Sequence, residues 1–254
     1  MISEWKAVSA HVMGRSHMKK QLPCQDHTFH ITQNDVTAIV LADGAGSCPR
    51  SHEGAEIATT HCAYLLTHSF TDMIEKGDRE LAQMILSEIK NQFPIDENEK
   101  DPVESMKQFA STLLFVAVRD DTYLAGHLGD GLIAYQEGEE CKILSYPQNH
   151  EFINTTFFTT SLDALEHFQF YRGSVQQIHG FMLMSDGSAE SLYSRKDQSL
   201  ATAVNKMMGW LEKYPTDVVQ EALMQNLKSM LREKTMDDCS LAMMKKLRTN
   251  EEIV

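Results

Sequence analysis

Residues 38–46 read Ala-Ile-Val-Leu-Ala-Asp-Gly-Ala-Gly. The apolar run at its head is too short for a helix and fits a strand covered on both faces. It delivers Asp43 into a loop where Gly44 and Gly46, lacking Cβ atoms, are expected to admit positive φ and close main-chain approach. The pattern of an apolar strand abutting an acidic loop recurs. Asp26 precedes Thr28–Thr32, Asp130 lies between glycines after Tyr123–His127, Asp186 follows Phe181–Met184, and Asp237 and Asp238 precede Leu241–Met244. Buried carboxylates brought together repel one another and ionise together only when cations neutralise them. Oxygen donors of this kind suit Mg²⁺ or Mn²⁺, and a pair of such ions can activate water for attack on phosphorus. Phosphoester hydrolysis is the chemistry this pattern points to.

The rest of the chain supplies the covering. Trp5–Val12 reads as a further strand, and the polar segment 14–26, with His17, Lys19 and Lys20, reads as a loop, either over an anion and metal site or simply solvated. Ala55, Ala58, Cys62, Leu65, Leu66 and Phe70 recur at helical spacing, as do Leu81, Ile85, Ile89 and Phe93, which predicts two helices packed on a sheet. A charged connector, 94–102, leads to a meander of strands at 111–118, 123–127, 132–135 and 141–144. No firm element is expected within 147–173, which reads as a flap near the site or an irregular sheet edge. Helices are expected over 200–212 and 216–232, the second capped by Thr216 and carrying Val219, Ala222, Leu223, Met230 and Leu231 on its apolar side.

With 254 residues, 42% of them apolar, a single domain over 1–247 and a short tail, 248–254, is expected. A formal charge of −13 argues against nucleic acid as a partner. No apolar run is long enough to span a bilayer, and the start of the chain lacks the features of a secretory signal, so the expected location is the cytoplasm. The five cysteines have no CxxC spacing and are expected as reduced thiols, and Cys48 with His52 matches no usual zinc pattern.

Taken in order, Cys24-Gln25-Asp26, LADGAGS at 41–47, GHLGDG at 126–131, LMSDGSAE at 183–190 and DDCS at 237–240 resemble the motifs of the metal-dependent type 2C serine/threonine protein phosphatases. The resemblance implies an α+β fold, a four-layer α-β-β-α sandwich of two antiparallel sheets flanked by helical pairs. It implies Asp43 as the carboxylate bridging two Mg²⁺ or Mn²⁺ ions with the Gly44 carbonyl on one of them, and Asp186 and Asp237 as the other aspartates of that catalytic site. Asp26 resembles the early aspartate near the metals, Asp130 matches a position that helps hold a third ion, and Asp238 stands where asparagine is usual. The implied partner is a phosphorylated protein, and a cognate Ser/Thr kinase or its target. Three departures stand out. Gln25 replaces an acidic residue, Gln21 stands where a phosphate-binding arginine is common, and Ala45 replaces a histidine. His17, Lys19 or Lys20 are the candidates to bind phosphate instead. The competing readings are a catalytically weak or inactive phosphatase-shaped binding module and a phosphatase of small molecules. A haloacid-type mechanism needs a second aspartate at position 45, and a serine hydrolase needs a Gly-x-Ser-x-Gly elbow; neither is present.

Overall fold

The computed structural model describes residues 4–95, 101–148 and 156–247. The expected tail at 248–254, and the part of the 147–173 segment from 149 to 155, lie outside the described residues. In chain order, β1 (Trp5–Val12) leads through α1 (Arg15–Lys20) to β2 (Asp26–Gln33) and β3 (Val36–Asp43). Then come α2 (Ser51–Glu75), α3 (Asp78–Asn91) and α4 (Pro102–Lys107), followed by β4 (Leu113–Arg119), β5 (Thr122–Leu128), β6 (Leu132–Glu137) and β7 (Glu140–Ser145). A short α5 (Ala164–His167) precedes β8 (Gln169–Ser174), β9 (Ile178–Met184) and α6 (Asp186–Leu192). A small ribbon, β10 (Tyr193–Ser194) with β11 (Ser199–Leu200), leads to α7 (Thr202–Met208), α8 (Trp210–Lys213), α9 (Thr216–Asn226) and β12 (Cys239–Lys246).

The strands form two five-stranded sheets, ordered β1-β12-β9-β6-β7 and β2-β3-β4-β5-β8, with antiparallel neighbours throughout. Period-2 alternation explains why β3 reads as unbroken apolar sequence. Val36, Ala38, Val40 and Ala42 pack with α2 and α3, while Ile39 and Leu41 face the other sheet. In β9, Met182 and Met184 join the core under α6, α7 and α9, and Phe181 and Leu183 fill the space between sheets. Three apolar interfaces thus separate four layers, helices outside and sheets inside. Antiparallel sheets often leave one face wet; here both faces of each are covered. No helix of the described residues is long and apolar enough to cross a membrane.

Several local expectations are corrected. The polar 14–26 segment contains α1, and Gly209 divides the 200–212 helix into α7 and α8. Pro215 occupies the cap position of α9, and no side chain, Thr216 included, makes a capping hydrogen bond there. Beyond Asn226 the chain winds as a π-helical turn, Leu227–Leu231, then a 3-10 turn, Arg232–Lys234. Leu223, Leu227 and Leu231, at four-residue steps, take the core face, which leaves Met230 54% exposed. Within 147–173, where no firm element is expected, residues 164–167 form α5 and residues 169–173 belong to β8, the sheet edge paired with β5.

Candidate active site

Antiparallel pairing brings the acidic loops to one end of the sandwich. Asp26 opens β2 and Asp43 closes β3, and the two are partners in the ladder. On the other sheet, Asp186 follows β9, Asp130 precedes β6 and Asp237 precedes β12, the strands that flank β9 on either side. Asp43, Asp130, Asp186 and Asp237 line one cavity of about 170 Å³, together with His17, Gln25 and Gly44. Asp26 is not in the lining; it is buried, 3% exposed, beside Asp43.

The Asp43 loop is latched by its neighbours. The Asp43 N–H donates to Thr112 Oγ1 at 2.8 Å, and the Thr112 N–H returns a bond to the Asp43 carbonyl at 2.8 Å. Gly44 N–H donates to the Gln25 carbonyl at 3.0 Å. A Cβ at Gly44 would stand 2.8 Å from the Ser51 carbonyl carbon and 2.9 Å from the Gln25 carbonyl oxygen, so the glycine is required for close approach. Close approach, not positive φ, is what Gly44 supplies: among the described glycines only Gly129 and Gly138 adopt positive φ. On the opposite wall, Thr156 Oγ1 donates to Asp130 Oδ2 at 2.7 Å, and the Gly187 N–H donates to Asp186 Oδ1 at 2.5 Å.

Like charges placed directly across a ladder are destabilising, and here the effect extends through the cluster. Burial, then the charges of Asp26, Asp186, Asp130 and Asp237, push the Asp43 carboxyl well above the ordinary carboxylate range. Burial, then Asp238 and Asp186, raise Asp26 likewise, and the nearby Ser240 and Ser185 hydroxyls counter this without reaching hydrogen-bonding geometry. Asp186 is raised to about 6, by burial first and by Asp130 and Asp237 next. Asp237 is exposed at the rim, and the desolvation of its inner side still shifts it upward.

Both carboxylate oxygens of Asp26 are buried without a hydrogen-bond partner, a costly state for a polar group and costlier still for an ionised one beside Asp43. Oxygen donors with unmet negative charge fit a hard divalent cation. Among the described residues, no three His, Cys, Asp or Glu side chains already stand as a closed ligand shell, so the donors are gathered but spread.

The phosphate-binding candidates separate. His17 lines the acidic cavity and is the sole basic side chain in its lining among the described residues. Lys19 and Lys20 are exposed on α1; Lys20 lines an adjoining cavity, and neither lines the acidic one. Gln21 is exposed and ends α1 with φ 55°, outside the acidic cavity.

Asp238 organises this wall. Its Oδ1 accepts from the Gly14 N–H at 2.6 Å, and its Oδ2 from the Gln25 N–H at 2.6 Å and from His17 Nδ1 at 2.9 Å. One buried carboxylate therefore ties the start of α1, the approach to β2 and the start of β12 together. Sequence reading missed this role, and missed Thr112 as the latch on Asp43 and Thr156 on Asp130. The only signal for Thr112 was a polar residue just ahead of an apolar strand.

With this geometry in place, comparison with known proteins is decisive. The family model "Protein phosphatase 2C" matches residues 13–232. The chain belongs to the protein phosphatase 2C family. Serine/threonine-protein phosphatase 3 of Escherichia coli (strain K12) is 27% identical over 258 residues, covering 94% of this chain and 97% of that protein. The fold is similar to that of the S. agalactiae serine/threonine phosphatase, with a TM-score of 0.67 at 14% identity over 96% of this chain and 100% of that one. It is also similar to a serine/threonine phosphatase from Staphylococcus aureus, with a TM-score of 0.65 at 11% identity and 95% coverage of each chain. Metal dependence is general in the protein phosphatase 2C family.

Proposed function

We propose that this chain hydrolyses phosphoserine and phosphothreonine esters on a protein partner, with two Mg²⁺ or Mn²⁺ ions, and a third bound more weakly, as cofactors. The observation that carries the proposal is the meeting of Asp43, Asp130, Asp186 and Asp237 on one cavity, with Asp26 buried and unpartnered beside Asp43. Asp43, Asp186, Asp237 and the Gly44 carbonyl would hold the two ions, Asp130 the third, with Asp26 adding negative charge behind Asp43. Bound there, the ions supply positive charge that stabilises phosphoryl oxygens and activates water. The protein's own share is positioning: Thr112 and Gln25 fix the Asp43 loop, and Thr156 fixes Asp130. Asp238 occupies Nδ1 of His17, which leaves Nε2 to hydrogen-bond a phosphoryl oxygen in the cavity that His17 lines.

The name of the Escherichia coli relative supports serine and threonine phosphoesters as the substrate class. A protein kinase that phosphorylates the same partner would complete the cycle. All five cysteines are free thiols, which supports a reducing, cytoplasmic setting.

One observation favours a second reading, a phosphatase-shaped binding module: among the described residues the acidic cavity has no lysine or arginine in its lining. Turnover of a phosphothreonine peptide in Mn²⁺, in Mg²⁺ and in EDTA decides between them. The expected result is hydrolysis with either ion and none in EDTA. Metal binding without hydrolysis of the peptide or of a small aryl phosphate would hand the site to the binding-module reading.

A further inference from the structure

Beside the acidic cavity lies a second one, of about 520 Å³, that shares His17, Gly46 and Asp237 with it. Its walls are α1 and the segment 234–236, and its chemistry is the opposite of its neighbour's. Arg15, Lys20 and Lys234 line it, against Glu190 and the shared Asp237. Among the described residues none of these three cations has an acidic side chain within ion-pair distance; the remaining lysines and arginines that form ion pairs do so elsewhere. In a chain with 36 acidic and 23 basic residues, three unpaired cations on one groove are a local reversal of the overall field. Leu22 and Met236 add exposed apolar surface to the same walls.

The groove is also preformed. The Ser16 N–H donates to the Met236 carbonyl at 2.9 Å, and Arg15 Nε donates to the Thr235 carbonyl at 2.9 Å. A Cβ on Gly14 would stand 2.2 Å from the Asp237 carbonyl carbon, so the two walls meet at main-chain contact. A basic and partly apolar groove, held rigid and opening onto the acidic cavity, is suited to an extended polypeptide carrying negative charge.

We propose that this groove binds the polypeptide flanking the phosphorylated residue. It selects segments with an anionic side chain, a carboxylate or a second phosphate, within a few residues of the scissile phosphoester. The proposal rests on the phosphatase reading above and adds the class of protein segment on which that site acts.

The test compares phosphothreonine peptides of one length whose flanking residues are Glu, Ala or Lys, and one with a second phosphoserine, with a small aryl phosphate as reference. The wild type is expected to favour the Glu-flanked over the Ala-flanked peptide through KM, and to disfavour the Lys-flanked one. Lys234→Glu, an exposed position outside the acidic cavity, is expected to reduce that preference by roughly two- to fivefold, the scale of one exposed charge, and to leave aryl phosphate turnover unchanged. Lys20→Glu provides a second variant with the same expected loss of preference on the peptides. A gain confined to the doubly phosphorylated peptide assigns the anion as phosphate; a gain shared with the Glu-flanked peptide assigns any carboxylate. Equal kcat/KM for all four peptides, or an equal fall for anionic and Ala-flanked peptides alike in Lys234→Glu, would overturn the proposal. If the wild type hydrolyses nothing, the phosphatase reading fails, and fluorescence anisotropy of the labelled Glu-flanked peptide still tests the groove. Weakening by Lys234→Glu would then uphold it, and unchanged affinity would overturn it.

Discussion

Asp238 accepts three hydrogen bonds, from Gly14, Gln25 and His17, on segments more than two hundred positions away in sequence. A carboxylate has acceptor capacity for all three, whereas an amide must turn a donor toward at least one of them. The asparagine usual at this position in the family would face either the Gly14 N–H or the Gln25 N–H with its own NH₂. Asp238→Asn is therefore expected to cost about 1–3 kcal/mol, the price of a buried donor left unpaired, read as a fall in the urea midpoint. An unchanged midpoint would mean that the wall is held by other contacts. The substitution should also raise KM for phosphopeptide by releasing His17. The motif order made Asp238 visible as a departure, but its purpose depends on donors that only the folded chain brings near.

At the scale of strands and helices, most of the architecture was legible. The short unbroken apolar runs in β3, β4, β9 and β12 put strands where they stand, and the three- and four-residue apolar steps located α2 and α3. What stayed hidden were elements too short or too irregular to carry a period: the six residues of α1, the π-helical turn after α9, and edge strand β8, whose residues are only partly buried. The acidic cluster was legible because each aspartate sits at a strand end, and antiparallel pairing then places those ends together. The phosphate-side candidates were not, because proximity along α1 does not say which way a side chain faces, and His17 parts from Lys19 and Lys20 there. Phe181 of β9 packs between the sheets with Trp5 at 6.1 Å and Tyr123 at 5.1 Å between ring centroids. Phe181→Ala is expected to cost about 3–5 kcal/mol, measured by urea unfolding. A loss under roughly 1 kcal/mol would show that the two sheets close over the gap.

Across the whole molecule, the acidic end couples folding, pH and cation binding. The folded Asp186 carboxyl titrates at about 6, above its ordinary value, and Asp26 and Asp43 are raised in the same direction. The folded cation-free protein thus holds more protons than the unfolded chain, and the stability this contributes is lost as pH rises from the ordinary carboxylate value of 3.8 through about 6. Cation binding must displace those protons, so Mn²⁺ affinity should rise with pH, by up to roughly tenfold per pH unit for each proton displaced, and the Asp186 contribution should level off above about 6. Thermal shift at fixed Mn²⁺ measures this, and a pH-independent shift would contradict it. The central claim, that the four aspartates around one cavity form a divalent-cation site serving phosphoester hydrolysis, has a more direct test. Mn²⁺ binding, followed by electron paramagnetic resonance, and phosphothreonine peptide turnover would be measured together for the wild type, Asp43→Asn and Asp186→Asn. The account predicts that the wild type binds Mn²⁺ and turns over, and that each variant retains its fold but loses tight binding and at least about a hundredfold in kcat, the scale of losing a group that stabilises transition-state charge. Variants that turn over at the wild-type rate would contradict it.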